Sequence, residues 1–413
     1  MWPRTFPTRI GLIAFGAFVL RVAYVISRRD AGIRGDALTF WLDAAHLADG
    51  QGFQRAFEPV PTAEHPPLHV VLLAALHRIG LGGYNDQKLV LCLVGTATVV
   101  LIGLVARDLA GDGAGLMAAA IGAVYPPLWL ADATLMSETP YALLVIAVVA
   151  CAYWFQRVPG VRRAAALGVV TALAALTRPE AMALVVLLIL PLAWRASPAW
   201  GGRLRVASVA VLAFLIVIAP WSIRNALTFE EPILISANTY GAVIGANCHE
   251  SWYGDQLGSW AYTCFRDRAP GDESQYSVDY RDRGLRYIRD HAQRLPVVLA
   301  ARMGRFWEVY RPRQSVYFQG SEGRSGTAAR AGIAFFWLLI GFWVAGLVIL
   351  RRRGASVWPL CAPIAMALIV ALMAYGSTRL RIAAEPSFVV LAGVSAHALA
   401  QRVRRGRAAA RPG

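Results

Sequence analysis

The stretch Arg34-Gly35-Asp36-Ala37-Leu38-Thr39-Phe40 sets a carboxylate directly after the first long apolar run, and Glu64-His65-Pro66-Pro67-Leu68 follows downstream. A carboxylate at that height, with a His-Pro-Pro turn near it, can meet a lipid headgroup where lipid phosphates lie. Such residues support two kinds of chemistry: proton removal by Asp36, and stabilisation of a developing anion by nearby cations. Candidates for holding a phosphate are His65, Arg178, Arg224, Arg379 and Arg381, with Glu64 and Glu138 as further carboxylates. Plainer roles compete with these. Asp36 can cap a helix beginning at residue 37. Arg178 can close a helix bundle through an ion pair with Glu180 or Glu138, and Glu138 suits the first turn of the helix it opens. Arg379 and Arg381 can snorkel to headgroups.

The elements that must position these residues follow from composition. Of 413 residues 57% are hydrophobic and 16% charged, and apolar runs of 14 to 20 residues recur along the whole length. That excludes soluble globular, disordered, collagen-like and small disulfide-rich classes and implies an all-α polytopic membrane protein. The net charge of +16 does not signal nucleic acid, because the charges are segregated. Arg4, Arg9, Arg107, Arg157, Arg162, Arg163, Arg195, Arg203, Arg205, Arg351 to Arg353, Arg402, Arg404, Arg405, Arg407 and Arg411 make 17 Arg against two acids, Asp108 and Asp112. The remaining 24 basic and 23 acidic residues nearly cancel. So large an asymmetry places the first set in the cytoplasm.

With that rule the apolar segments 10–27, 88–106, 113–130, 139–156, 164–177, 181–194, 206–222, 331–350, 357–375 and 382–400 give about ten crossings with both termini inside. The segment 66–80 reaches only about 22 Å at ~1.5 Å per residue and is read as interfacial or re-entrant. The polar complexity then faces outward: a first outer loop at 28–65, turns at 131–138, 178–180 and 376–381, and a long loop at 223–330 ahead of the C-terminal membrane helices of 331–413. An amphipathic pattern from about 276 to 310 predicts helices lying on the membrane surface. Cys248 and Cys264 lie in the long loop, in what would be an oxidising compartment, and enclose 15 residues, so a disulfide is expected. Cys92, Cys151 and Cys361 read as packing residues, and Asp43, His46 and Asp49 as a solvated helix face. No zinc-type spacing occurs; Glu64, His65 and His69 alone do not make a ligand set. No cofactor is assigned, and dependence on a divalent metal is left open.

Further signals appear in order along the chain: Gly50-x-Gly52-Phe53, Ser137-Glu138-Thr139, Thr177-Arg178-Pro179-Glu180, Pro220-Trp221-x-x-Arg224-Asn225 and Arg379-x-Arg381. Together with Gly35-Asp36 and His65-Pro66-Pro67-Leu68 they resemble the GT-C glycosyltransferases. The likeness is to the protein O-mannosyltransferase type (glycosyltransferase family 39) and its bacterial relatives, including aminoarabinose transferases. The resemblance spans nearly the whole chain. It implies transfer of a sugar from a polyprenyl-phosphate donor to an acceptor hydroxyl on a glycan, lipid or protein, at the outer face of the bacterial cytoplasmic membrane. Asp36 would be the base. One departure is the missing Asp-x-Asp form, since position 38 is Leu. A lipid-linked substrate transporter or flippase, and a membrane scaffold with an outer binding domain, are the alternative readings.

Overall fold

The computed structural model describes residues 5–265 and 268–409. Long apolar runs without helix breakers become long helices. Among the described residues five are long and apolar enough to cross a membrane: Phe6–Ser27, Tyr84–Ala110, Glu138–Arg157, Trp200–Thr228 and Gly326–Arg352. A sixth is added if Asp112–Val124 and Pro126–Ala133, bent by 62° at their junction, count as a single span. The ten crossings expected from the sequence are not reached on this measure. Segment 181–194 is not one helix but a 3-10 turn Pro179–Met182, a π turn Val185–Ile189 and a short helix Leu190–Arg195. Two prolines, Pro179 and Pro191, remove backbone donors there. Segments 164–177 and 357–375 fold as the shorter helices Val161–Ala175 and Trp358–Met373.

The last helix, Glu385–Ala409, is central to the packing. It lies against Gly326–Arg352 and Asp112–Val124, and its residues Phe388 to Ala392 are fully buried. Two glycines permit this approach. A Cβ at Gly346 would lie 2.0 Å from the Leu391 carbonyl, and one at Gly393 would lie 2.4 Å from the Ala118 Cβ. The Arg-rich end of the bundle is tied by pairs of Arg157 with Asp108 and Arg107 with Asp112. Glu138 opens the 20-residue helix that ends at Arg157, so it lies roughly 30 Å from that end.

At the Glu138 end the chain builds a polar layer. Helix Asp36–Ala48 is followed by a small antiparallel hairpin, Gln54–Arg55 with Glu58–Pro61, and by the 12-residue helix Pro67–Arg78. The long segment 223–330 contains helices Asn238–Gly245, Glu273–Asp290, Leu295–Phe306 and Pro312–Ser321. Tyr280, Val298 and Phe306 of the amphipathic stretch are buried, whereas Leu285 is exposed. Buried arginines fasten this layer to the bundle. Arg302 donates to Leu372 O at 2.6 Å, at the end of Trp358–Met373, and to Ala246 O at 2.9 Å. Arg305 donates to Leu257 O and to Gln314 Oε1, each at 2.6 Å.

Cys248 and Cys264 are joined, with Cα atoms 5.9 Å apart. Closing a loop of this length removes unfolded-state entropy of roughly 3 kcal/mol. Mass spectrometry of a non-reduced digest should recover the two cysteines as one linked peptide pair, and recovery of both as free thiols would rule the bridge out.

Candidate active site

Gly35 has φ 57° and ψ −138°, a conformation that a side chain disfavours, and the helix begins at Asp36 itself. Asp36 is therefore the first helical residue and not the cap, and no side chain caps this helix. The capping role expected as an alternative is replaced by an ion pair: Asp36 Oδ2 accepts from Arg379 Nη2 at 2.9 Å. Arg379 stands on the short helical turn Thr378–Arg381 and spends each guanidinium nitrogen on a different carboxylate. Besides Asp36 it reaches Glu138 Oε1 at 2.8 Å through Nε and Glu322 Oε1 at 3.2 Å through Nη1. Glu138 also accepts Arg178 Nη1 at 3.3 Å, and Arg178 Nε holds Glu180 at 2.7 Å. Arg324 closes the network 3.7 Å from Glu322.

Exposure separates the roles. Glu138 is buried, its side chain 1% open, whereas Asp36 keeps 40% of its side-chain surface open. Of the two, only Asp36 can meet a substrate. His65 lies beside it, buried, its ring 4.3 Å from that of Phe40 and its Nε2 without a partner. Burial alone would push the Asp36 carboxyl up, but the charge of Arg379, with that of His65, outweighs this and holds it below the ordinary carboxylate range. Asp36 is thus kept in its ionised, proton-accepting form.

A pH prediction follows. Replacing Arg379 with Gln removes the lowering influence and leaves the burial, so the Asp36 pKa rises. The acid limb of a kcat/KM profile should move to higher pH in Arg379→Gln, and a limb that stays in place would detach Asp36 from Arg379 in function.

The other candidates are placed as follows. Arg381, two residues from Arg379, turns inward and is 1% open; it donates to Glu385 at 2.6 Å and to Phe306 O at 2.7 Å. Arg224 donates to Thr62 O at 2.9 Å and Phe53 O at 3.2 Å, clasping both arms of the hairpin, while Phe53 packs edge-on to Trp221. The Pro220 to Asn225 motif thus anchors the segment 28–65. The Glu64 backbone carbonyl takes the Asn238 amide at 3.3 Å, and its carboxylate is close enough to Asp43 and Glu273 for its charge to act on both. His69 faces the Leu135 carbonyl at 3.1 Å and is fully buried. Asp43 departs from the solvated face expected of it. It is buried, and burial, with the charges of Glu64 and Glu273, pushes its carboxyl up to about 8. Among the described residues the ligand atoms of Cys248, Glu250 and Cys264 converge, but both sulfurs belong to the disulfide.

No sequence motif points to Glu322, Arg324 or Tyr375, yet they adjoin the network: burial pushes the Tyr375 phenol up against the opposing charges of Arg379 and Arg178. Glu322 and Arg324 carry the same signal as Asp36. They are charged residues immediately outside a long apolar run, here the helix that begins at Gly326.

No family model matches the sequence, and no curated protein does so significantly. Among solved structures, the chain is similar to the oligosaccharyltransferase of Archaeoglobus fulgidus in its apo form, with a TM-score of 0.56 at 13% identity over 97% of this chain. The same archaeal enzyme in complex with Zn and sulfate gives 0.53 at 11% identity over 95%. ArnT of Cupriavidus metallidurans bound to undecaprenyl phosphate gives 0.39 at 15% identity, covering 93% of this chain and 77% of that one. The chain spans about half the length of the archaeal enzyme, 52% for the apo form. The protein is an all-α polytopic membrane protein whose fold is similar to that of the archaeal oligosaccharyltransferase.

Proposed function

We propose that the protein transfers a sugar from a polyprenyl-phosphate donor to an acceptor hydroxyl, on a glycan, lipid or protein, at the outer face of the bacterial cytoplasmic membrane. The observation that carries this reading is the Asp36 carboxylate, open to solvent yet held ionised by Arg379, where the chain leaves its first membrane helix. Asp36 takes the proton of the acceptor hydroxyl as its oxygen bonds to the anomeric carbon. The bond from that carbon to the phosphate oxygen breaks, and polyprenyl phosphate leaves with the bonding pair. The shared fold and the ordered motifs support the same chemistry. Arg21, inside the first membrane helix, and Asp132 are fully buried and pair with each other at 2.9 Å, so neither offers the open ionisable group that a transport path would use.

Sidedness tests the placement. In a variant lacking Cys92, Cys151 and Cys361, a cysteine at Glu58, on the exposed hairpin, should react with an impermeant thiol reagent added outside intact cells. A cysteine at Gly160, in the Arg-rich turn, should not react. Labelling at Gly160 and not at Glu58 would place the candidate site on the wrong side, and equal labelling of both would contradict the expected crossing pattern.

A further inference from the structure

The reading above needs a phosphate to be held near Asp36, and the charge balance of the network says where it is not held. Asp36, Glu138, Glu180 and Glu322 are joined to Arg178, Arg324 and Arg379, four carboxylates against three guanidinium groups. A lipid phosphate entering there would have to displace a carboxylate from a guanidinium that already serves up to three. Uncompensated cations lie on the other side of the same turn. Where the first membrane helix ends, an open concavity of about 330 Å³ is lined by Ser27, Arg28, Asp30, Arg34, Gly320 and Gly323. This is within the size range of small-ligand sites.

Arg28 spends Nη2 on the Gly323 carbonyl at 3.2 Å, and its Nε is buried with no acceptor. Arg34 is exposed and has no hydrogen-bond or ion-pair partner among the described residues. Asp30 lies 3.7 Å from Arg29 and does not neutralise the pair. Behind the turn, Lys88 reaches the Gly32 carbonyl at 3.5 Å and adds a third positive charge. Arg34 is two residues from Asp36, at most about 7 Å along the backbone.

We propose that this concavity, with Arg28 and Arg34 as its donors, is the subsite that holds the phosphate of the lipid-linked donor while Asp36 faces the acceptor. The proposal rests on the glycosyl-transfer reading and deepens it. Arginine forks suit phosphate oxygens, and the position at the end of a membrane helix matches the height of a lipid headgroup.

The test measures binding of a short-chain polyprenyl phosphate to the full chain in nanodiscs of zwitterionic lipid. Arg34→Gln should weaken binding at least about tenfold and Arg28→Gln/Arg34→Gln further, as expected for lost charge-assisted bonds. Arg29→Gln, outside the concavity, and Asp36→Asn should bind like the wild type. Arg34 is exposed, so unchanged thermal melting of Arg34→Gln shows that folding is not at issue. Wild-type affinity in both Arg34→Gln and the double variant would overturn the subsite and leave the glycosyl-transfer reading standing. Failure of the wild type to bind would overturn both. Phosphatidylglycerol at equal mole fraction should leave the probe bound; equal displacement would make this a general anionic-lipid site and overturn the assignment to the donor.

Discussion

Asp36→Asn should abolish sugar transfer while leaving folding and donor affinity close to wild type. General-base removal at this kind of step costs ~100 to 10,000-fold in rate. The substitution is nearly isosteric, and no capping role is lost, because Gly35 and not Asp36 occupies the cap position. Asn also keeps an oxygen that can accept from Arg379 Nη2, so the geometry of the turn is retained while the basicity is gone. The loss should appear in kcat far more than in KM, the pattern of an interaction used in the transition state. A folded Asp36→Asn protein with transfer near wild type would remove Asp36 from the base role. Glu322 would then be the next candidate, its side chain 23% open against 1% for Glu138.

The second large effect concerns stability. Arg21 and Asp132 are both fully buried, paired at 2.9 Å between the first membrane helix and the bent Pro126–Ala133 segment. Thr139 donates to the second Asp132 oxygen at 2.8 Å, which positions the acid beside the helix that Glu138 opens. Removing one partner strands the other charge away from water. Arg21→Met should therefore destabilise the protein by about 3–5 kcal/mol, read as a lowered midpoint of thermal unfolding in detergent. Arg21→Met/Asp132→Asn, which removes both charges, should recover much of that loss. Gly95 sits against the pair, and a Cβ there would lie 2.5 Å from an Asp132 oxygen, so Gly95→Ala should also lower the midpoint. A single Arg21→Met variant that melts with the wild type would show that the pair contributes nothing.

The sequence made Asp36 legible because a lone carboxylate just outside an apolar run, followed by His65-Pro66-Pro67, is a local signal. Its partner was not legible as such. Asp36 and Arg379 are 343 residues apart, and Glu138 and Arg379 are 241 apart, so which cation meets which acid is decided by how the helices pack. Arg379 and Arg381 read as equivalent in the sequence, yet a helical turn sends residues two apart to opposite sides, one into the site and one onto Glu385. Asp43 reads as solvated because it stands with His46 and Asp49 as a polar helix face. It is one helical heptad from Asp36 and shares that face, which the 62–65 segment and Glu273 then cover. Among the described residues the helices long and apolar enough to cross are fewer than the ten apolar segments, in part because Pro179 and Pro191 interrupt a run, since hydropathy registers composition and not backbone continuity.

The central claim is tested most directly by giving the purified wild-type protein a polyprenyl phosphate carrying a radiolabelled sugar, together with membrane lipids and envelope extract as acceptors. The predicted result is movement of label from the donor to an acceptor, release of unlabelled polyprenyl phosphate in equal amount, and neither event with Asp36→Asn. Label that stays on the donor across a panel of hexosyl and pentosyl carriers, in a protein shown to bind polyprenyl phosphate, would contradict it.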